Sequence, residues 1–361
     1  MRFIEINIIN LYKKVIKKYY NNESFVLFKK PYENKIYLYS CDNNRKIKIK
    51  ENFFLIGSFN HKNIVKIYTN EIYFLDIKKF ISKKLINIPS SFIDIDINSS
   101  LLIYSYEYKN LLKKAIKFIK NNYLKKVVLS RLIKIPFHNF YLKKTFQKLI
   151  FSYPNSFISL WYDFFYGFWL GASPELLMKC NDKKLQTVAL AGTISILENN
   201  NKWTQKEIEE HKIVIEYITN FLKKYYSGIL SIGKTTTINL GTIQHLKTPI
   251  NFSFFKKPNF FEILKNMYPT PSICGYPKKK SLDFIQKYEG YHRNFYTGYF
   301  GPVDKINMEL YLNLRCAKIK MDRKEINLYA GSGITMHSNA EQEYLETENK
   351  IKNIFSKFIF N

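Results

Sequence analysis

The chain has 361 residues and a formal charge of +28, from 57 Lys and Arg against 29 Asp and Glu, with few Gly (13) and Pro (11) for its length. It is long enough to bury a substantial core, which excludes the small disulfide-stapled class. The lysines are spread along the chain and form no single block, which argues against a dedicated nucleic-acid surface and leaves room for a cleft that attracts an acidic small molecule.

Cys41, Cys180, Cys274 and Cys316 are widely separated and form no C-x-x-C pair. That usage predicts a reducing compartment, hence a cytoplasmic protein, and no structural zinc. Met1 to Tyr20 is broken by Arg2, Glu5 and paired lysines, so it lacks the apolar core and cleavage site of a signal peptide. The longest apolar run, Phe157 to Ala172, contains Asp163 and a turn-like centre, and reads as a buried hairpin rather than a membrane span.

In chain order, residues 1–100 show short alternating runs such as Lys35 to Tyr39 and Asn63 to Tyr68 and read as strands without chemistry. Leu111 to Tyr123 carries Leu112, Ala115, Ile116 and Ile119 on one helical stripe. It leads into a strand that opens on Lys126. Strands at Phe157–Trp161 and Gly167–Gly171 end at Pro174, which places Glu175 at a strand exit. Thr187 to Thr193 is another strand, followed by a polar loop through Asn199-Asn200-Asn201 and a helix from about Glu207 to Tyr226. Glu210 starts the buried stripe of that helix with Val214, Ile218, Phe221 and Leu222, and a carboxylate there wants a partner.

A proline-rich turn, Tyr268 to Pro277, precedes a helix at Ser281–Tyr288. Strands resume over Met308–Ile319, where Arg315 interrupts an apolar ladder, and return through Ile326–Ala330. The last segment, Leu328 to Ile334 followed by Ser338 to Lys350, reads as a strand, a glycine turn exposing backbone N–H groups, and a helix with a Ser338/Glu341 capping box. That helix sets Glu343, Glu346 and Lys350 at i, i+3, i+7. In outline this is an anion and metal site. Neither an internal repeat nor a linker-like composition break is visible, which favours one large α/β domain, with a strand-rich part over 1–100 and a catalytic region over 101–361.

Nine segments in order resemble the chorismate-utilising enzymes, and most closely the isochorismate synthases: Lys126 to Arg131, Ser173 to Leu177, Leu190 to Thr193, Glu210-His211, Gln244 to Leu246, Pro269 to Pro277, Leu314-Arg315, Ala330 to Ile334, and Glu343 to Thr347 through Lys350. The resemblance implies two stacked, mostly antiparallel sheets flanked by helices, with Mg²⁺ as cofactor and chorismate as substrate. It implies Lys126 as general base on the incoming water and Glu175 as general acid at the C4 hydroxyl. Glu210 and Glu343 map to metal ligands and Glu346 to the holder of a metal-bound water. Arg315, Lys350 and the amides of Gly331, Ser332 and Gly333 map to the substrate carboxylate, His245 to the neighbourhood of the C4 hydroxyl, and Thr193 and Tyr296 to the ring. Relatives that use ammonia carry a Pro-Ala/Gly-Gly-Ser/Thr type of segment where this chain has Pro269-Thr270-Pro271-Ser272-Ile273, which favours water as nucleophile. A monomer without a glutaminase subunit, bound to neither nucleic acid nor membrane, is expected. The alternatives are a salicylate synthase, an anthranilate synthase component I, and, from another class, a basic nucleic-acid-binding protein.

Overall fold

The computed structural model describes residues 2–40, 52–80, 98–196 and 202–360, without the side chains of 80 and 98–104. The expected loop at Asn199 to Asn201 lies outside the described residues. The first part of the chain gives β1 (Arg2–Glu5), α1 (Ile8–Tyr20), β2 (Phe25–Lys29), β3 (Lys35–Ser40), β4 (Phe53–Gly57), β5 (Ile64–Tyr68) and β6 (Glu71–Asp76). Next come α2 (Asn98–Lys120), β7 (Lys126–Pro136), α3 (Leu142–Ser152), β8 (Phe157–Asp163), β9 (Gly167–Ser173), β10 (Leu176–Asn181), β11 (Lys184–Ser195) and α4 (Gln205–Tyr225). The chain continues through β12 (Gly228–Ile232), β13 (Thr236–Leu240), β14 (Ile243–Phe254), α5 (Phe260–Met267), β15 (Gly275–Tyr276) and α6 (Lys278–Tyr288). It closes with β16 (Tyr299–Val303), β17 (Asn307–Leu312), β18 (Cys316–Lys320), β19 (Glu325–Ile334) and α7 (Ala340–Phe355).

These strands form two sheets, one ordered β1-β6-β3-β2-β8-β9-β18-β19-β7-β15 and the other β12-β14-β11-β10-β17-β16-β4-β5, with β13 beside β14. Only β1 against β6 is parallel among the named pairs. Strand alternation explains the layering. In β2, Phe25 and Leu27 point to the helices α1, α3 and α7, while Val26 and Phe28 point between the sheets against Phe54, Phe157 and Trp161. Both faces are apolar, so the run reads as continuously hydrophobic although its side chains alternate. The strands before residue 80 contribute to both sheets rather than forming a layer of their own.

Three expectations change. The segment Ile8–Tyr20 is a helix, capped by the Asn7 side chain on the Asn10 N–H, not a strand. Gly331 to Gly333 form no turn: β19 runs straight through them, paired residue for residue with Ser130, Leu129 and Val128 of β7. The last helix is capped by Asn339, whose side chain accepts from Glu341 and Gln342 N–H groups, and Ser338 is instead spent on Glu343 at 2.7 Å. Among the described residues no helix is long and apolar enough to cross a membrane.

Two connections fix the site. The chain passes from the first sheet to the second between β9 and β10, where Glu175 lies, and back between β17 and β18, where Arg315 lies. The two crossings run side by side, tied by Leu312 N–H to Glu175 O at 3.0 Å and Ala172 N–H to Arg315 O at 3.1 Å. Arg315 takes φ +48, a left-handed turn that breaks the ladder and frees its side chain from both sheets.

Candidate active site

A small cleft, with a cavity volume of about 70 Å³, opens where the sheets part. Its wall brings together Glu175, Thr193, Glu210, His245, Tyr296, Arg315, Lys350 and the Gly331 to Gly333 strand. Lys126, Glu343 and Glu346 are not on that wall: Lys126 contacts Glu210 behind it, Glu346 contacts Lys350, and Glu343 joins them through Lys206.

Glu175 is 4% exposed and its Oε1 accepts from the Ser272 hydroxyl at 2.7 Å. Burial pushes its carboxyl up to about 8, with Ser272, Lys126 and Lys350 opposing, so it holds a proton at neutral pH. The Ser272 turn is fastened by buried Arg293, which donates to Ile273 O at 2.8 Å, to Val128 O at 2.7 Å and to Glu289. The sequence gives neither Ser272, within the Pro269 to Ile273 segment, nor Arg293 a role of its own: serine in a turn carries no distinguishing local signal. Ser272→Ala removes a bond that favours the charged form, so the alkaline limb of the kcat profile is expected to move up by roughly one pH unit; an unmoved limb would remove Glu175 as the acid.

Lys126 is fully buried at the start of β7, and its ammonium lies 3.2 Å from Glu210 Oε1. Burial lowers its pKa, and Glu210 partly offsets that. Glu210 itself is pushed up by burial, but Lys126 and Lys206 outweigh this and hold it down at about 2. α4 supplies Glu210 and α7 supplies Glu343, which packs against the cluster at 3% exposure. Burial, with Glu346 and Glu210 adding, pushes Glu343 up to about 7.

The glycines serve close approach, not a turn. A Cβ on Gly333 would meet Glu210 Oε1 at 2.0 Å, and one on Gly331 would meet Leu129 O at 2.7 Å. β18 pairs with β19 only as far as Leu328, so beyond it the strand edge is open to the cleft. Gly331 O accepts from Lys350 at 2.8 Å on that open side, and in an antiparallel strand the N–H of the same residue points the same way. The amide donors expected of a turn are therefore supplied by an unpaired strand edge at Gly331 and Gly333, while the Ser332 N–H faces Leu129 of β7 and is not among them. Gly333→Ala is expected to push Glu210 aside and weaken divalent-cation binding at least tenfold by calorimetry, with cooperative melting retained.

His245 is buried and neutral, lowered by burial and by Arg315 and Lys350. Gly192 O can only accept, so the Nδ1 at 2.9 Å carries the hydrogen; Nε2 then accepts from Arg315 Nη2 at 2.9 Å. His245 thus aims the guanidinium, and Thr193 Oγ1 sits 3.1 Å from the same Nδ1. Tyr296 stacks on Tyr329 with centroids 5.1 Å apart and gives the cleft a flat aromatic wall. Lys350 is bound to Glu346 at 2.5 Å.

The cation fit rests on this carboxylate cluster. Glu343 Oε2 is buried with no hydrogen-bond partner, and Glu210, Glu343 and Glu346 all face one point, where the Lys206 ammonium stands 3.3, 3.0 and 3.6 Å from them. Among the described residues no three such side chains already converge as a ligand set. Few carboxylates and hard oxygen donors fit a small divalent cation that keeps several waters.

The family model described as chorismate binding enzyme matches residues 56–359. The chain is 33% identical over 189 residues to a salicylate biosynthesis isochorismate synthase of Pseudomonas aeruginosa, covering 49% of this chain and 39% of that one. It is 32% identical over 190 residues to an isochorismate synthase of Escherichia coli, covering 50% and 43%. The matched stretch thus spans about two fifths of these curated relatives. Among solved structures, a 2,3-dihydroxybenzoate-specific isochorismate synthase of Bacillus anthracis superposes with TM-score 0.74 at 21% identity, over 96% of this chain and 99% of that one, which shows the shared fold of two stacked sheets.

Proposed function

The chain belongs to the family of chorismate-binding enzymes, and within it we propose that this protein is an isochorismate synthase. In that reaction water adds at C2 of chorismate, the two ring double bonds shift, and the C4 hydroxyl leaves as water. The observation that carries the reading is one cleft with Glu175 on its wall and Lys126 behind the wall residue Glu210, both buried and tuned against their usual states, Lys126 toward the free amine and Glu175 toward the neutral acid. Base and acid must be in those states for the chemistry to start.

Lys126 takes a proton from the incoming water, and Glu175 delivers one to the departing hydroxyl. Arg315, aimed by His245, forms a planar fork for a substrate carboxylate, and the open N–H groups of Gly331 and Gly333, with Lys350, complete that anion site. Tyr296 supports the ring face. Mg²⁺ would be held by Glu210 and Glu343, with Glu346 on a bound water, and supplies Lewis-acid polarisation and neutralisation of a substrate carboxylate. The Pro269 to Ile273 segment departs from that of the ammonia-using relatives, which supports water as the nucleophile. The protein is accordingly taken to act without a glutaminase subunit.

The test is a product analysis: full chain, chorismate and Mg²⁺, separated by liquid chromatography, with and without ammonium. Isochorismate alone, independent of ammonium, is expected. Salicylate with pyruvate, or anthranilate in the ammonium arm, overturns the assignment. Nucleic-acid affinity with a steep salt slope and no turnover would point to the non-enzymatic class.

A further inference from the structure

Lys206 is the second residue of α4 and only 7% exposed. A cation in the first turn of a helix is disfavoured by the partial positive charge of the free N–H groups there, so something else must hold it inside. Four carboxylates do: Glu343 at 3.0 Å, Glu210 at 3.3 Å, Glu346 at 3.6 Å and Glu207 at 3.9 Å. Glu207 is already committed to the helix cap, accepting from Thr204 N–H at 3.0 Å and from its hydroxyl at 2.6 Å. The ammonium is thus bound chiefly by the glutamates that the proposed function assigns to the divalent cation.

The two cations cannot share that point. A divalent ion held by Glu210 and Glu343 would compete for carboxylate oxygens that now face the Lys206 ammonium at 3.3 and 3.0 Å, and a second cation brought among them would be repelled strongly in a buried setting. Lys126 cannot substitute, because it contacts the other oxygen of Glu210, Oε1. We propose that Lys206 is a built-in counter-cation of the carboxylate cluster, which the divalent cation must displace on binding, so that cation uptake is an exchange and not an addition. This rests on the metal site assigned above. The lysine stem has the rotatable bonds for such a swing, and the ammonium is strongly hydrated once released. The exchange has two linked effects: Lys206 holds four like charges together before the cation arrives, and it weakens the affinity of the site for that cation.

The test compares the wild type with Lys206→Met by calorimetric titration with Mg²⁺, by electron spin resonance of free Mn²⁺, and by thermal melting with and without Mg²⁺. The methionine variant is expected to bind both ions at least tenfold more tightly and to melt below wild type without a divalent ion, with the gap closing when Mg²⁺ saturates. Lys206→Arg, which keeps the charge, is expected to bind no more tightly than wild type. Should Lys206→Met fold only with Mg²⁺ present, that dependence is the same result in its extreme form, and Lys206→Gln supplies the affinity comparison in a chain that keeps a donor among the carboxylates. Equal or weaker binding by the uncharged variants overturns the displacement while leaving the metal site standing. Failure of wild type and variants alike to bind either ion overturns the metal site and the displacement with it.

Discussion

Glu175→Gln is expected to lower kcat by about 10²–10⁴-fold, the range associated with a positioned general acid, while chorismate binding measured by calorimetry stays within a few-fold of wild type. The amide keeps the shape of the carboxyl and can still meet the Ser272 hydroxyl now bonded at 2.7 Å, but it has no proton to give. A stability gain accompanies the loss. The carboxyl titrates near 8 in the folded protein and near 4.5 when exposed. Both states are protonated below pH 4.5, so the group costs nothing there. Between 4.5 and 8 the unfolded chain ionises first and the fold is progressively destabilised, by on the order of 3 kcal/mol at pH 7. The variant should therefore melt above wild type at pH 7 to 8, with the difference vanishing near pH 4. Equal melting at both pH values would mean that Glu175 is ionised in the fold and is not the acid.

Much of this site was legible because periodicity places side chains. Glu210 heads an apolar stripe at helical spacing and is indeed buried, and Arg315 interrupts an apolar ladder because that is where the chain changes sheet. The glycines misled for a physical reason. Glycine serves a positive φ or a close approach, and sequence does not distinguish them; here the neighbour is Glu210, brought by a different helix. Lys206 was invisible for the same reason: in a first helical turn it reads as a solvated lysine, and two of the four carboxylates around it are brought by a distant helix, α7. The helix at Ile8–Tyr20, by contrast, did carry its signal. Leu11, Val15 and Tyr19 recur at i, i+4, i+8, and all three meet the core beneath α1, but the paired lysines between them obscured the period.

Lys126→Met should cost a comparable factor, about 10³-fold in kcat, and the residual activity separates base from acid. Under the proposed roles, the wild type is expected to need the free amine on the acid side of the profile and the neutral carboxyl on the alkaline side. Lys126→Met should lose the acid limb and keep the alkaline limb near pH 8 that Glu175 sets; Glu175→Gln should do the reverse. Methionine matches the length and apolar character of the lysine stem, so the packing against Gly333, where the lysine Cε lies close by, is retained. Glu210 keeps the Lys206 ammonium at 3.3 Å and is not left alone. The sign of the stability change follows from the same lowered pKa. Below the folded pKa the buried charge is a full cost, and the cost is relieved as pH rises toward the unfolded value near 10.5, because there the unfolded chain binds the extra proton. The variant is expected to melt no lower than wild type at pH 7 and to lose any advantage at pH 10. A profile that keeps its acid limb without Lys126 would move the base to another residue, and a collapse of melting at pH 7 would show that the lysine is held for its pairing with Glu210 and not for its proton.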